Sequence, residues 1–263
     1  MFDFLFQLHE VYLFLLLCGV GVVVSIIAVL LVKRFIPLSL RYAENPVLGN
    51  MSALISIIYG VLAGITALYL INSYSDSTTA VQREANATAN IYRQSYWLAQ
   101  PLQENLQKNL AQYLQEVINI EWPLMKLGDK ITDQGDKIID NMSLLLKQAN
   151  AVAGADTVTI HELIGELKTL YNARQDRIAA SYLRLNPEFW IVIIIGTFLT
   201  VMINYLFGMN FYLHLATVSA VTIMAFSMIF LLVALDRPFQ GEYVIEPDAF
   251  KPLLMQIEKS NNV

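Results

Sequence analysis

Charge is missing from long parts of this chain. Residues 12–32, 51–71, 189–207 and 211–235 contain no Asp, Glu, Lys or Arg. An apolar helix of about 20 residues covers the roughly 30 Å hydrocarbon core of a bilayer, whereas helices of a soluble domain keep a polar face. Four such stretches exclude an ordinary water-soluble globule. Cysteine is almost absent as well. Cys18, inside the first stretch, has no second cysteine to pair with, so no intramolecular disulfide can form. Residues 1–10 hold no basic residue and carry Asp3 and Glu10. A secretory signal needs a basic start and a small-residue cleavage site, so the first stretch reads as a retained helix. The net charge of −5 argues against a nucleic-acid partner.

The residues of common active sites are also scarce. His9, His161 and His214 are the only histidines and fall in three different regions. His161 and Glu162 begin as a zinc-protease signature does, but the second His would fall at Gly165. No glycine-rich loop leads into Lys-Ser or Lys-Thr. Asp129, Asp133, Asp136 and Asp140 recur every three or four residues and could share a helix face. Lys126, Lys130 and Lys137 interleave with them, which favours a solvated, ion-paired face over a cation site. The expectation is no catalysis, no metal and no cofactor.

What is present is organised around the four spans. The first ends at Lys33 and Arg34, with Pro37 just beyond. Asn45 and Pro46 start a turn before the second span. That span carries Gly60 and Gly64 at small-xxx-small spacing, extended by Ala63 and Ala67. Small residues let helix backbones approach closely in lipid, so Gly60 and Gly64 are candidate packing positions; ordinary membrane-helix composition is the competing reading. Residues 72–188 change character, with charges of both signs and apolar residues every three or four positions. One stripe runs through Leu102, Leu106, Leu110, Tyr113 or Leu114, Val117 and Ile118; Trp122 and Pro123 should end or kink that helix. A second runs through Ile131, Ile138, Met142 and Leu146, and residues 151–155 form a small-residue break. Thr159 and Glu162 have capping-box spacing, predicting a helix start there. The third and fourth spans are joined only by Gly208, Met209 and Asn210, which forces an antiparallel hairpin. Asn204 and His214 beside this turn are costly in lipid unless they face protein, water or the interface.

Several motifs, in order, give the chain a resemblance to the bacterial bestrophin-like domain family. They are Tyr59, Gly60 and Gly64 leading through Asn72 and Tyr74 to Glu84 and Ala85; Glu121, Trp122 and Pro123; Arg174 and Arg177 ahead of Pro187 and Trp190; and Asp236, Pro238, Phe239 and Gly241. The match spans about 60–250. True bestrophins are pentameric ion channels whose second helix lines the pore neck and continues into a helical domain, so the resemblance implies a homo-oligomeric channel. The chain departs from them at Gln240, which interrupts their Pro-Phe-Gly run, and in its thin acidic set of Asp236, Glu242, Glu246 and Asp248. Calcium control is therefore not implied.

The resulting expectation is an all-α membrane protein: four transmembrane helices in two hairpins with a soluble helical bundle inserted between them. The divisions are an N-terminal segment 1–11, a first hairpin 12–72, a helical domain 73–188, a second hairpin 189–235 and a tail 236–263. Three- and four-residue spacing makes Tyr59, Ala63, Thr66 and Leu70 the candidate pore-facing residues. Glu84, Glu121, Trp122, Pro123, Arg174, Arg177, Asp236, Pro238, Phe239 and Gly241 are expected to be structural. Glu84 or Glu121 should pair with Arg174 or Arg177, clamping the bundle. Membrane lipid, further copies of the chain and ions are the expected partners. A membrane-anchored sensor or scaffold, its helical domain binding a partner or ligand, is the alternative. The expected location is the bacterial inner membrane. Lys33, Arg34 and Arg41 favour a cytoplasmic first loop and an external 73–188 domain, although the bestrophin likeness favours the opposite side.

Overall fold

The computed structural model describes residues 10–151, 157–240 and 244–261, and among these the regular structure is entirely helical. Ten α-helices follow in order: α1 Glu10–Phe35, α2 Leu38–Ala43, α3 Asn45–Ser95, α4 Leu102–Glu116, α5 Trp122–Leu127, α6 Gln134–Asn150, α7 Thr157–Tyr182, α8 Pro187–Tyr205, α9 Phe211–Leu235 and α10 Lys251–Asn261. A π-helical turn, Val117–Glu121, joins α4 to α5, and a 3-10 turn, Pro247–Ala249, precedes α10. The chain divides into two compact units. One comprises residues 1–72 and 184–237, the other 73–183 and 238–263.

The first unit contains the four apolar spans, in α1, the first part of α3, α8 and α9. Its tight helix pairs are α1 with α9 and α8 with α9. Because lipid is as apolar as leucine, packing and small polar contacts hold such helices together, not the hydrophobic effect. Ser25 on α1 illustrates this: its hydroxyl lies 2.9 Å from both the Tyr205 and Thr222 hydroxyls. α3 contributes residues to both units. At 51 residues it is about 77 Å long at 1.5 Å per residue.

The second unit buries a conventional apolar core. Leu106, Leu110 and Leu114 of α4, Ile138 and Met142 of α6, and Leu163, Leu167 and Leu170 of α7 meet there, with Phe239, Phe250 and Ile257 from the chain's last part. Three local expectations need correction. Trp122 and Pro123 do not end the helix. The chain widens at this point into the π turn, where the Trp122 amide bonds back to the Val117 carbonyl, and then continues as α5. The widening accommodates a proline that has no amide hydrogen to donate. Thr159 and Glu162 lie inside α7, which already begins at Thr157, so this spacing is not a helix start. Asp129 and Asp133 precede α6, so they share no helix face with Asp136 and Asp140. Residues 152–155 of the expected small-residue break lie outside the described residues, as does Gly241.

Candidate functional site

The helical unit gathers the expected charges into one buried cluster. Glu84 comes from α3, Glu121 from the π turn, and Arg174 and Arg177 lie about one turn apart on α7. All four residues are 0% exposed. Arg177 Nε donates to Glu84 Oε2 at 2.6 Å, while its Nη2 donates to Glu84 Oε1 at 3.0 Å and to Glu121 Oε2 at 2.6 Å. Arg174 Nη2 lies 2.9 Å from Glu121 Oε1 in an ion pair without directed hydrogen-bond geometry. Arg177 thus joins two helical segments that are remote in sequence, and Arg174 reinforces the bond to Glu121.

Three further residues join the cluster that the sequence did not connect with it. The Tyr113 hydroxyl donates to Glu84 Oε1 at 2.6 Å. Asp136, at the partly exposed rim, lies 3.4 Å from Arg174 Nε. Gly135 supplies room: a Cβ there would come within 2.6 Å of Glu121 Oε1 and 2.7 Å of Arg174 Nε. Only a residue without a side chain lets α6 pass so close to the ion pairs.

Burial and charge oppose one another here. Burial raises the Glu121 carboxyl above its usual range, and the Arg177 and Arg174 guanidiniums pull it back only partly. Burial likewise holds the Tyr113 phenol well above 10, and the Glu84 carboxylate adds to this. Burial works against the Arg177 charge, but Glu84 and Glu121 outweigh it, so the guanidinium stays charged. Glu84, Glu121, Arg174 and Arg177 are enclosed by their own chain.

Trp122 caps the cluster. Arg177 sits 5.2 Å over its ring, and the indole Nε1 donates to the Ile245 carbonyl at 2.9 Å. Phe239 and Phe250 meet the same ring edge-on, with centroids at 6.0 Å and 5.7 Å. The Pro238 carbonyl accepts from the Ile245 amide at 2.9 Å. Pro123 occupies the start of α5, a tolerated position for proline. Asp236 belongs to the membrane unit. It stands at the end of α9, where its Oδ1 accepts from the Leu185 amide at 2.6 Å. Burial raises this carboxyl above its usual range despite that bond and the nearby Arg237 and Arg184.

In the membrane unit the candidate pore-facing residues can be placed. Ala63 and Leu70 pack against Leu185, Ile193 and Leu232, with Tyr59 partly buried beside them. Thr66 is buried, and its hydroxyl donates to the Leu62 carbonyl. Tyr59 accepts a hydrogen bond from Thr197 at 2.9 Å. Tyr59, Ala63, Thr66 and Leu70 thus have partners within their own chain, and Tyr59 and Ala63 also line a cavity of about 580 Å³. A Cβ at Gly60 or Gly64 would meet nothing within 4 Å, and both line the same cavity, together with Thr200 and Val221. Glycines at close helix approaches are Gly196 on α8, beneath the Tyr59 ring, and Gly21 on α1, against the Phe226 ring. Large residues are uncovered around much of this part of α3, including Leu54, Ile57, Val61 and Leu68 and a row at spacings of four, three and four, Ile58, Leu62, Ile65 and Tyr69. Sequence alone did not separate this row from the apolar residues around it.

No curated protein matches the chain in sequence. Solved structures do match it in fold. A point mutant of the bacterial bestrophin homologue from Klebsiella pneumoniae aligns at TM-score 0.73 and 12% identity, covering 93% of this chain and 97% of its own. A structure of that homologue solved by Zn-SAD phasing aligns at TM-score 0.71 and 12% identity, with 92% and 96% covered. At such identity the likeness establishes the fold. The family follows from sequence: the bestrophin-like domain model matches residues 19–250, and the chain belongs to that family.

Proposed function

We propose that the protein is a homo-oligomeric ion channel of the bacterial inner membrane, with α3 of each copy nearest a common axis. The observation that carries this reading is the uncovered row Ile58, Leu62, Ile65 and Tyr69 on a membrane helix. α3 is absent from the tight helix pairs of its unit. Its open face is suited to other copies of itself, and Gly60 and Gly64 leave space for a neighbouring helix beside the row. Brought together around an axis, such residues form an apolar constriction, which gates ions by wetting and dewetting. These four positions replace the Tyr59 face as the pore-facing set.

Mass measurement of the full chain in detergent comes first, and a ring of copies is expected. A monomer would remove the channel reading and leave the anchored sensor or scaffold. Ion flux into liposomes comes second. Ile65→Thr should raise flux by making the constriction easier to wet, while Ala63→Ser, on the occupied face, should not act in that way. Absence of flux at every voltage and pH would sink the proposal.

Sidedness belongs to the same proposal. Lys33, Arg34 and Arg41 favour a cytoplasmic link between α1 and α3 and an external helical unit. Glu104→Cys in a Cys18→Ala background offers an exposed labelling site. Labelling of intact cells by an impermeant thiol reagent supports the external placement, and labelling only after lysis overturns it.

A further inference from the structure

The link between α1 and α3 and the turn between α8 and α9 meet in the membrane unit around a cavity of about 390 Å³. Its lining includes Lys33, Arg41, Asn210, Phe211 and His214. Among the described residues that line it there is no carboxylate. Two cations therefore share a pocket at the ends of apolar spans with no acidic partner in its wall.

Arg41 is the unusual member. It is 6% exposed. Its Nη1 donates to the Phe207 carbonyl at 3.3 Å, yet its buried Nε has no partner. A buried donor on a charged group left unsatisfied costs more than a neutral one, and an Arg lining a pocket is well shaped to meet a phosphate or carboxylate. Lys33 is held over the pocket by the Phe211 ring, 4.2 Å from its centroid. The N-terminus of α9 begins at Phe211 on the same wall, adding the partial positive charge of a helix start. His214 directs Nε2 to the Asn204 carbonyl at 2.9 Å. A carbonyl only accepts, so Nε2 carries the hydrogen.

The surroundings are built rather than incidental. Asn45 brackets Gly208, its Nδ2 donating to the Gly208 carbonyl at 2.8 Å and its Oδ1 accepting from the Gly208 amide at 2.9 Å. A Cβ on Gly208 would come within 2.5 Å of the Tyr42 backbone nitrogen. The α8–α9 turn is thereby pressed against α2 and Arg41 is fixed in place.

We propose that this pocket binds the phosphate of an anionic membrane phospholipid. The spans that end here place it where headgroups lie, and basic pockets between membrane helices suit such groups. The site does not depend on whether the protein conducts ions. Retention of phosphatidylglycerol and phosphatidylcholine by the full chain in detergent, followed by native mass spectrometry, tests it. Phosphatidylglycerol should be retained in preference. Lys33→Gln, at an exposed position, should weaken that retention about fivefold, in line with the usual contribution of one basic residue. Arg41→Gln should weaken it at least as much if it folds. Arg34→Gln, next in sequence but outside the lining, should leave it unchanged.

Three results would overturn the assignment: equal retention of the two lipids, full retention by Lys33→Gln, or equal loss in Arg34→Gln. Inorganic phosphate forms the last arm. If it raises the thermal stability of delipidated protein as much as phosphatidylglycerol does, the pocket takes free phosphate and the lipid source is wrong.

Discussion

The two units of this molecule treat polarity in opposite ways. The helical unit draws four full charges into its interior and pairs them there. The membrane unit buries mainly hydroxyls within its spans, paired with one another or with the preceding helical turn, and turns its large apolar residues outward. Solvent accounts for the difference. In water, apolar burial drives folding, and a core large enough to enclose an ion cluster can use it to fix geometry. In lipid, an outward leucine costs nothing, and a modest hydroxyl contact is enough to select one helix neighbour.

Removing charges from the cluster should break this contrast most severely. Arg177→Gln leaves Glu84 and Glu121 buried without their main partner, and about 3–5 kcal/mol of stability should be lost. Denaturant unfolding of the helical unit within the full chain, followed by Trp122 fluorescence, measures it; an unchanged midpoint would mean the cluster is not a clamp. Gly135→Ala forces a methyl group among paired ions that have nowhere to move. Overpacking of this kind should cost about 1–3 kcal/mol by the same measurement.

Alkaline pH sharpens the comparison next. Folded Tyr113 titrates well above 10, whereas an unfolded tyrosine titrates near 10. The tyrosine's contribution is complete below the unfolded value and declines as pH rises from there towards the folded one. The wild type should therefore lose stability above about pH 10 more steeply than Tyr113→Phe; parallel curves would contradict this. The smallest effect belongs to the membrane unit. Ser25→Ala removes two hydroxyl contacts, yet should cost only about 0.6 kcal/mol, the average found for such bonds between membrane helices. A loss as large as that of Arg177→Gln would erase the proposed distinction between the units.

Much of the fold was legible because lipid imposes a length rule on apolar runs. The second membrane hairpin is an example, its short link at Gly208 fixing an antiparallel pair. The ordered motifs likewise placed Glu84, Glu121, Arg174 and Arg177 on segments that had to pack. Asp136 and Tyr113 were harder to recognise, since each looks like an ordinary member of an amphipathic helix until α7 is laid beside it. Gly135 carried no turn or spacing signal; its role comes from a side-chain approach that sequence distance conceals. The Gly60 and Gly64 pair shows a different limit: small-residue spacing marks where a helix can pack, but not which helix arrives.

The amino-acid sequence alone determined that four helices meet lipid and that an amphipathic helical segment lies between the second and third, because hydrocarbon admits only long uncharged runs and water requires a polar face. Tertiary structure decided which face of α3 is covered, which carboxylate meets which guanidinium, and that Arg41 and Lys33 share a cavity. Those outcomes depend on how helices rotate about their axes and on segments remote in sequence, and the composition of a single helix leaves that rotation undetermined.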